Sequence, residues 1–194
     1  MNTILKSENI LLKEMNNEIL IDNVLSMLIK EKNDSINMLL FDDNDVVGNL
    51  FYKKNNDNLA GLSIFSETWV IERAGSPFSM LRVRNIKDDF FSLRITLDGS
   101  FGSSVIKIQD NLSMRFVNTC FWRNTWAWVN TATNESLIEF EMKPSINKRG
   151  MAKICLPILS DEKASFLCMI GWYILHNIDV TERKKADVQD ALNA

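Results

Sequence analysis

The sequence predicts a mainly β protein in which one antiparallel sheet closes into a barrel around a single buried hydrophobic helix near the C-terminus. Two observations carry this prediction. From Ser35 to Leu156, roughly ten short stretches of β-forming residues succeed one another, separated by turns of Asp, Asn, Gly and Pro. No helical pattern alternates with them, which disfavours a parallel α/β fold. The stretch Ala164–Leu175 is uncharged and apolar on every side of a helical wheel, so it must be buried on every side. A sheet closed around such a helix supplies walls on all its faces and removes the exposed sheet edges.

The helix comes first because it sets the architecture. Residues 164–175 make roughly 18 Å of helix at about 1.5 Å each. A bilayer core asks for about 20 apolar residues, so the run suits a protein interior better than lipid. Pro157 lies upstream, Ser160 or Asp161 can cap the start, and Asp161 and Glu162 suit the positive end of the helix dipole. His176 stands where a helix C-terminus favours a cation, and Asn177 can terminate it. The helix is therefore expected over Asp161–Asn177. A marginal membrane anchor, helped by Arg183, Lys184 and Lys185, is the alternative.

Residues 1–34 are ambiguous. Leu20, Val24 and Leu28 have helical spacing, whereas Ile19 and Ile21 have strand spacing; strands with a short helical piece are the expectation. Ile36–Phe41 and Val46–Tyr52 flank Asp42, Asp43, Asn44 and Asp45, and read as a hairpin. A polar turn over Lys53–Asn58 leads to Leu59–Phe65 and Thr68–Glu72, and Ala74–Pro77 turns again. Phe78–Arg84 alternates, with Arg82 and Arg84 opposite in parity to Leu81 and Val83. Phe90–Leu97 alternates likewise: Phe91, Leu93, Ile95 and Leu97 point inward, and Ser92, Arg94 and Thr96 point to water. Val105–Ile108, Leu112–Phe121, Trp126–Val129, Ser136–Met142 and Met151–Leu156 complete the series, with a loop over Lys143–Gly150.

The 194 residues suit one domain with a sizeable core, expected over 1–180, followed by a charged, weakly helical tail over 181–194. A net charge of -3 lacks the basic footprint of nucleic-acid binders, which are excluded as a class. The N-terminus lacks the continuous apolar core of a signal peptide. Cys120, Cys155 and Cys168 are odd in number and widely spaced, so no disulfide framework is expected and Cys168 reads as a small core residue. These features favour a reducing, cytoplasmic setting.

The Asp43–Leu50 hairpin, the repeated strand–turn units from Leu59 to Lys143, and the closing Leu156–Pro157 step into the Ala164–Leu175 helix together resemble the Tubby C-terminal fold. The closer likeness is to its smaller form, shared by LURP-one-related proteins and phospholipid scramblases. The resemblance covers roughly residues 35–177. It implies a closed barrel of about a dozen strands around a hydrophobic C-terminal helix. Tubby proteins bind phosphoinositide head groups through basic residues, but that site does not map residue by residue onto this sequence.

Few residues carry a chemical signature. Asp43-Asn44-Asp45 begins like a calcium loop, but Val47 takes the third ligand position and Lys54 the twelfth, so a solvated hairpin turn is the expectation. Phe116, Trp122, Trp126 and Trp128 share parity and read either as core or as a sugar- or lipid-stacking platform. Arg82, Arg84 and Arg94 gather on one outer patch if the sheet is a barrel, where they would meet anionic lipid or a solvated charged surface. The single histidine, His176, suits a capping role. Nucleophile-elbow, Walker A, dinucleotide-binding and zinc-protease motifs are absent, and no cofactor, metal or catalytic residue is assigned. The expectation is a non-enzymatic binding or scaffold module, whose partner is another protein or an anionic membrane surface. A peripheral lipid-binding or scramblase-like protein is the alternative, and an enzyme with an unfamiliar site is a third reading.

Overall fold

The computed structural model describes residues 24–74, 80–87, 92–97, 104–107, 113–120, 125–142, 149–155 and 159–192, with the backbone alone over 178–192. The protein is mostly β: one antiparallel sheet and one C-terminal helix. In chain order the strands are β1 (Val24–Lys32), β2 (Ser35–Asp42), β3 (Asp45–Lys53), β4 (Asn56–Ile64), β5 (Glu67–Ala74), β6 (Met80–Asn85), β7 (Ser92–Leu97), β8 (Ser104–Lys107), β9 (Ser113–Cys120), β10 (Thr125–Asn130), β11 (Ser136–Met142) and β12 (Arg149–Ile154), followed by α1 (Asp161–Leu192). Each strand pairs with its sequence neighbours, and β1 pairs with both β2 and β12, so the ladder returns on itself as a closed barrel.

Alternation decides which side chains enter the barrel. Leu25 and Met27 of β1, Met38 and Leu40 of β2, Leu50 and Tyr52 of β3, Leu81 and Val83 of β6, and Ile95 of β7 are buried, while their outward neighbours face water or its edge. Strand β10 departs from the pattern: Trp126, Ala127, Trp128 and Val129 are all buried, so it is covered on both faces. Phe91 lies outside the described residues, as do the side chains of Leu93 and Leu97.

Helix α1 fills the barrel. Its start is capped by Ser160, whose Oγ accepts from the Lys163 amide at 3.4 Å while its carbonyl accepts from the Ala164 amide at 2.9 Å. From Ala164 to His176 only Phe166 is not fully buried, so the all-round apolar run has walls all round. That stretch is about 20 Å long. Nine-residue strands at about 3.3 Å per residue, tilted by about 40°, span a similar height. Glycines allow the closest approaches: a Cβ on Gly150 would stand 2.0 Å from the Trp172 ring, and one on Gly171 would stand 2.5 Å from the Phe140 ring. The Trp128 indole N–H donates to the Leu167 carbonyl at 2.9 Å, tying wall to helix.

Several boundaries differ from the sequence reading. The helix does not end at Asn177: it continues to Leu192, through the segment expected to be a charged, weakly helical tail. No Gly or Pro follows Gly171 to stop it. The helical spacing of Leu20, Val24 and Leu28 does not describe β1, which is extended with Leu25 and Met27 inward; residues 1–23 lie outside the described residues. Asn56–Asn58 belong to β4 and Arg149–Gly150 to β12, so the polar turn and the late loop are shorter than expected.

Candidate functional site

The barrel's interior is occupied by α1, so two places remain where polar chemistry gathers: the outer face of β5–β7 and the end of the barrel where α1 leaves.

On the outer face, pairing brings the arginines together. Arg82 on β6 lies opposite Arg94 on β7 and, on its other side, opposite Glu72 on β5; Arg84 lies two residues along β6. All three arginines are exposed. Among the described residues none of them forms an ion pair or side-chain hydrogen bond, even though Glu72 is in register. Like charges directly opposite on a sheet are unfavourable by a few tenths of a kcal/mol to about 1 kcal/mol. The same two outward rows turn apolar toward β3 and β4. One runs Phe51, Gly61, Val70, Arg84, and the other Leu59, Glu72, Arg82, Arg94. Phe51 is 44% exposed and Leu59 49% exposed, two to three strands from the arginines along these rows.

At the exit end, His176 is not a helix cap. It sits within α1, is 6% exposed, and its Nδ1 is 2.6 Å from the Tyr52 hydroxyl of β3. Its Nε2 is 3.9 Å from Glu31 Oε1 of β1, and Glu31 Oε2 is 3.5 Å from Lys54 Nζ. A carboxylate only accepts, so the arrangement favours an imidazole with its proton on Nε2 and a bare Nδ1 that accepts the Tyr52 O–H. Beside it, the Asn177 amide donates to the Tyr173 carbonyl at 2.7 Å, and its oxygen accepts from Arg73 of β5 at 3.1 Å. Tyr173 meets Tyr52 edge to face with ring centroids 5.6 Å apart. Sequence reasoning missed this cluster because Tyr52 lies 124 residues from His176.

The aromatic platform is corrected. Trp126 is 4% exposed and Trp128 is fully buried, with Phe116 stacked on Trp126 at 5.4 Å and Phe140 edge-on to Phe116 at 5.5 Å. They face α1 instead of solvent, because large aromatic area drives these side chains inward. Trp122 lies outside the described residues. Asp43 is in the β2–β3 turn with φ 51°, a conformation that Asp tolerates. The thiol of Cys168 is pushed far up by complete burial, and that of Cys155 is raised chiefly by desolvation and secondarily by Glu139. Among the described residues no group of three or more His, Cys, Asp or Glu could hold a metal ion, and no helix is long and apolar enough to cross a membrane. Comparison of the chain with protein-family models, with curated proteins and with solved structures finds no match.

Proposed function

We propose that the chain is a Tubby-like barrel module that binds an anionic partner on the outer face of β5–β7 and carries out no catalysis of its own. The observation that carries the reading is the group Arg82, Arg84 and Arg94: exposed, on one face, and without a carboxylate partner among the described residues. Unpaired guanidinium groups present their fork geometry to carboxylate or phosphate oxygens. The twelve-strand ladder wound around α1 supports the Tubby-like part of the reading.

An anionic membrane surface is the partner that the neighbouring residues favour. Exposed Phe51 and Leu59 lie on the same outward rows as Arg84 and Arg82, three and two strands away, and apolar groups on a cationic face suit the lipid–water interface. Each Lys or Arg near such a surface contributes on the order of 1 kcal/mol. The test is co-sedimentation with vesicles of phosphatidylcholine, with and without phosphatidylserine, at low and moderate salt. Binding should require the anionic lipid, weaken with salt, and fall in R82E/R94E. If only neutral-protein contacts are found, with no anion dependence, the reading fails.

A further inference from the structure

The outward row of β6 does not end with its arginines. Arg82 and Arg84 are followed at the same parity by Ile86, while Asn85, between Arg84 and Ile86, turns inward and is buried. Ile86 is 58% exposed, and its amide still donates to the Thr68 carbonyl at 2.9 Å, so it continues the ladder at the end of the barrel where Phe166 of α1 packs on Trp69. Phe65, 53% exposed, sits on the β4–β5 turn at the same end. We infer that this corner of the barrel rim enters the apolar edge of an anionic bilayer through Phe65 and Ile86, while Arg82, Arg84 and Arg94 lie over the head groups, a placement that rests on the membrane reading of the arginine face.

Two apolar side chains on separate tips act as one wedge only if the tips are held together. Here a polar brace holds them. The Lys87 ammonium donates to the Ser66 carbonyl at 3.1 Å and lies 3.8 Å from Glu67 Oε1. The Asn85 amide donates to Glu67 Oε2 at 2.5 Å, and its oxygen accepts from the Lys87 amide at 2.8 Å. The turn that carries Phe65 is thereby tied to the segment that carries Ile86, and Lys87 offsets the carboxylate in the brace. Phe65 also has φ 49°, a left-handed backbone that Gly or Asn adopts far more readily than an aromatic residue. A strained, half-exposed phenylalanine is poorly chosen for stability alone, and strain kept at such a residue points to a use for the ring. Exposed apolar area beside a row of cations suits the lipid–water interface.

Charge sets the orientation. On the β3 side of Phe65, whose amide donates to the Val47 carbonyl at 3.1 Å, the β2–β3 turn carries exposed Asp42, Asp43 and Asp45, which an anionic surface repels. On the β6 side stand Arg84 and, opposite Arg82, Arg94, which it attracts. The barrel therefore leans toward β5–β7. Phe65 and Ile86 enter the interface, and Val46, next to Asp45, stays out of it although it is exposed.

The test uses the whole chain and vesicles of phosphatidylcholine, with and without phosphatidylserine, across a salt series. F65N/I86S places in the turn a residue that suits its backbone and should unfold no earlier in urea than the parent. It should partition onto the anionic vesicles about tenfold more weakly than the parent, or weaker still, with the same salt slope, because the lost area is apolar and the cations remain. R82E/R94E should instead flatten the salt slope. Depth is read separately. In a C120S/C155S background, an environment-sensitive dye on I86C should shift to the blue and be quenched by brominated acyl chains. The same dye on A132C, in the β10–β11 turn across the barrel, should do neither. Anion-dependent binding of the parent with F65N/I86S unchanged, or with the I86C dye unquenched, would overturn the insertion and leave the arginine reading standing. Equal binding to neutral vesicles, lost in F65N/I86S, would support the insertion and remove the anionic reading. No vesicle binding at any salt concentration would overturn both. Should F65N/I86S not fold, quenching of the I86C dye decides it alone.

Discussion

The tightest contact between wall and helix makes the sharpest prediction. An ideal Cβ on Gly150 would lie 2.0, 2.4 and 2.7 Å from three atoms of the Trp172 ring, well inside any contact real side chains make. Gly150→Ala therefore forces the indole back by on the order of 1 Å. It has nowhere to go: Trp172 is 2% exposed, and Phe140 stands edge-on to it at 5.4 Å. Phe140 is in turn held against the bare Cα of Gly171. Overpacking of this kind costs about 1–3 kcal/mol, and the absence of slack puts this site near 3 kcal/mol. Trp172→Leu alone should cost about 2 kcal/mol, less than the volume change suggests, because among the described residues the Trp172 indole N–H has no hydrogen-bond partner, so its removal deletes a buried unsatisfied donor.

The double variant separates this account from a general loss of fold. If the clash is the cause, Gly150→Ala on the Trp172→Leu background should cost almost nothing, since the new methyl enters space the ring has left. The coupling between the two sites should reach about 3 kcal/mol, read from urea midpoints at constant slope. Additivity within about 0.5 kcal/mol would refute the packing argument, as would a Gly150→Ala protein as stable as the parent.

Three further outcomes are expected. Ile170→Asp buries an unpaired charge at a fully buried position and should cost several kcal/mol, near the whole stability of a domain; a soluble, cooperatively unfolding variant would remove α1 from the centre of the core. With a thiol reagent under native conditions, Cys120 and Cys155 should label first. Cys168, buried and held protonated, should label only as the protein unfolds, and early labelling of Cys168 by mass mapping would contradict the barrel interior. Phe65 has φ 49° while 53% exposed, so Phe65→Asn should raise stability by about 1 kcal/mol in thermal unfolding; a loss would mean the ring makes a contact that outweighs the backbone strain.

What could be read from the sequence was whatever repeats locally. In β6 the order Leu81, Arg82, Val83, Arg84 assigns inside and outside without help, because charge and apolar character alternate at the strand period. The run Ala164–Leu175 announced its burial because it has no polar face. Long-range properties were not legible in the same way. Trp126 and Trp128 share parity, but parity does not say which face is inward, and β10 is buried on both. Asn177 looked like a stop because Asn often ends helices, yet here its side chain bonds within α1 and to Arg73, so the helix carries on. His176 looked like a cap for the same local reason. Its Tyr52 partner depends on how the barrel closes, which no local pattern contains.

The filled interior also bears on where function can sit. In a barrel with an open lumen, inward polar residues are natural ligand groups. Here the inward positions of the wall meet the all-apolar surface of α1, and His176 with Tyr52 is spent on joining the two. Selection for stability alone would not set Arg82 opposite Arg94, since any neutral side chain at either position would lift the repulsion. Glu72 is in register to compensate one of them, yet among the described residues it makes no ion pair with them. If the proposed anionic partner binds this surface, charge reversal at Arg82 and Arg94 should alter binding while leaving the unfolding midpoint unchanged or slightly raised.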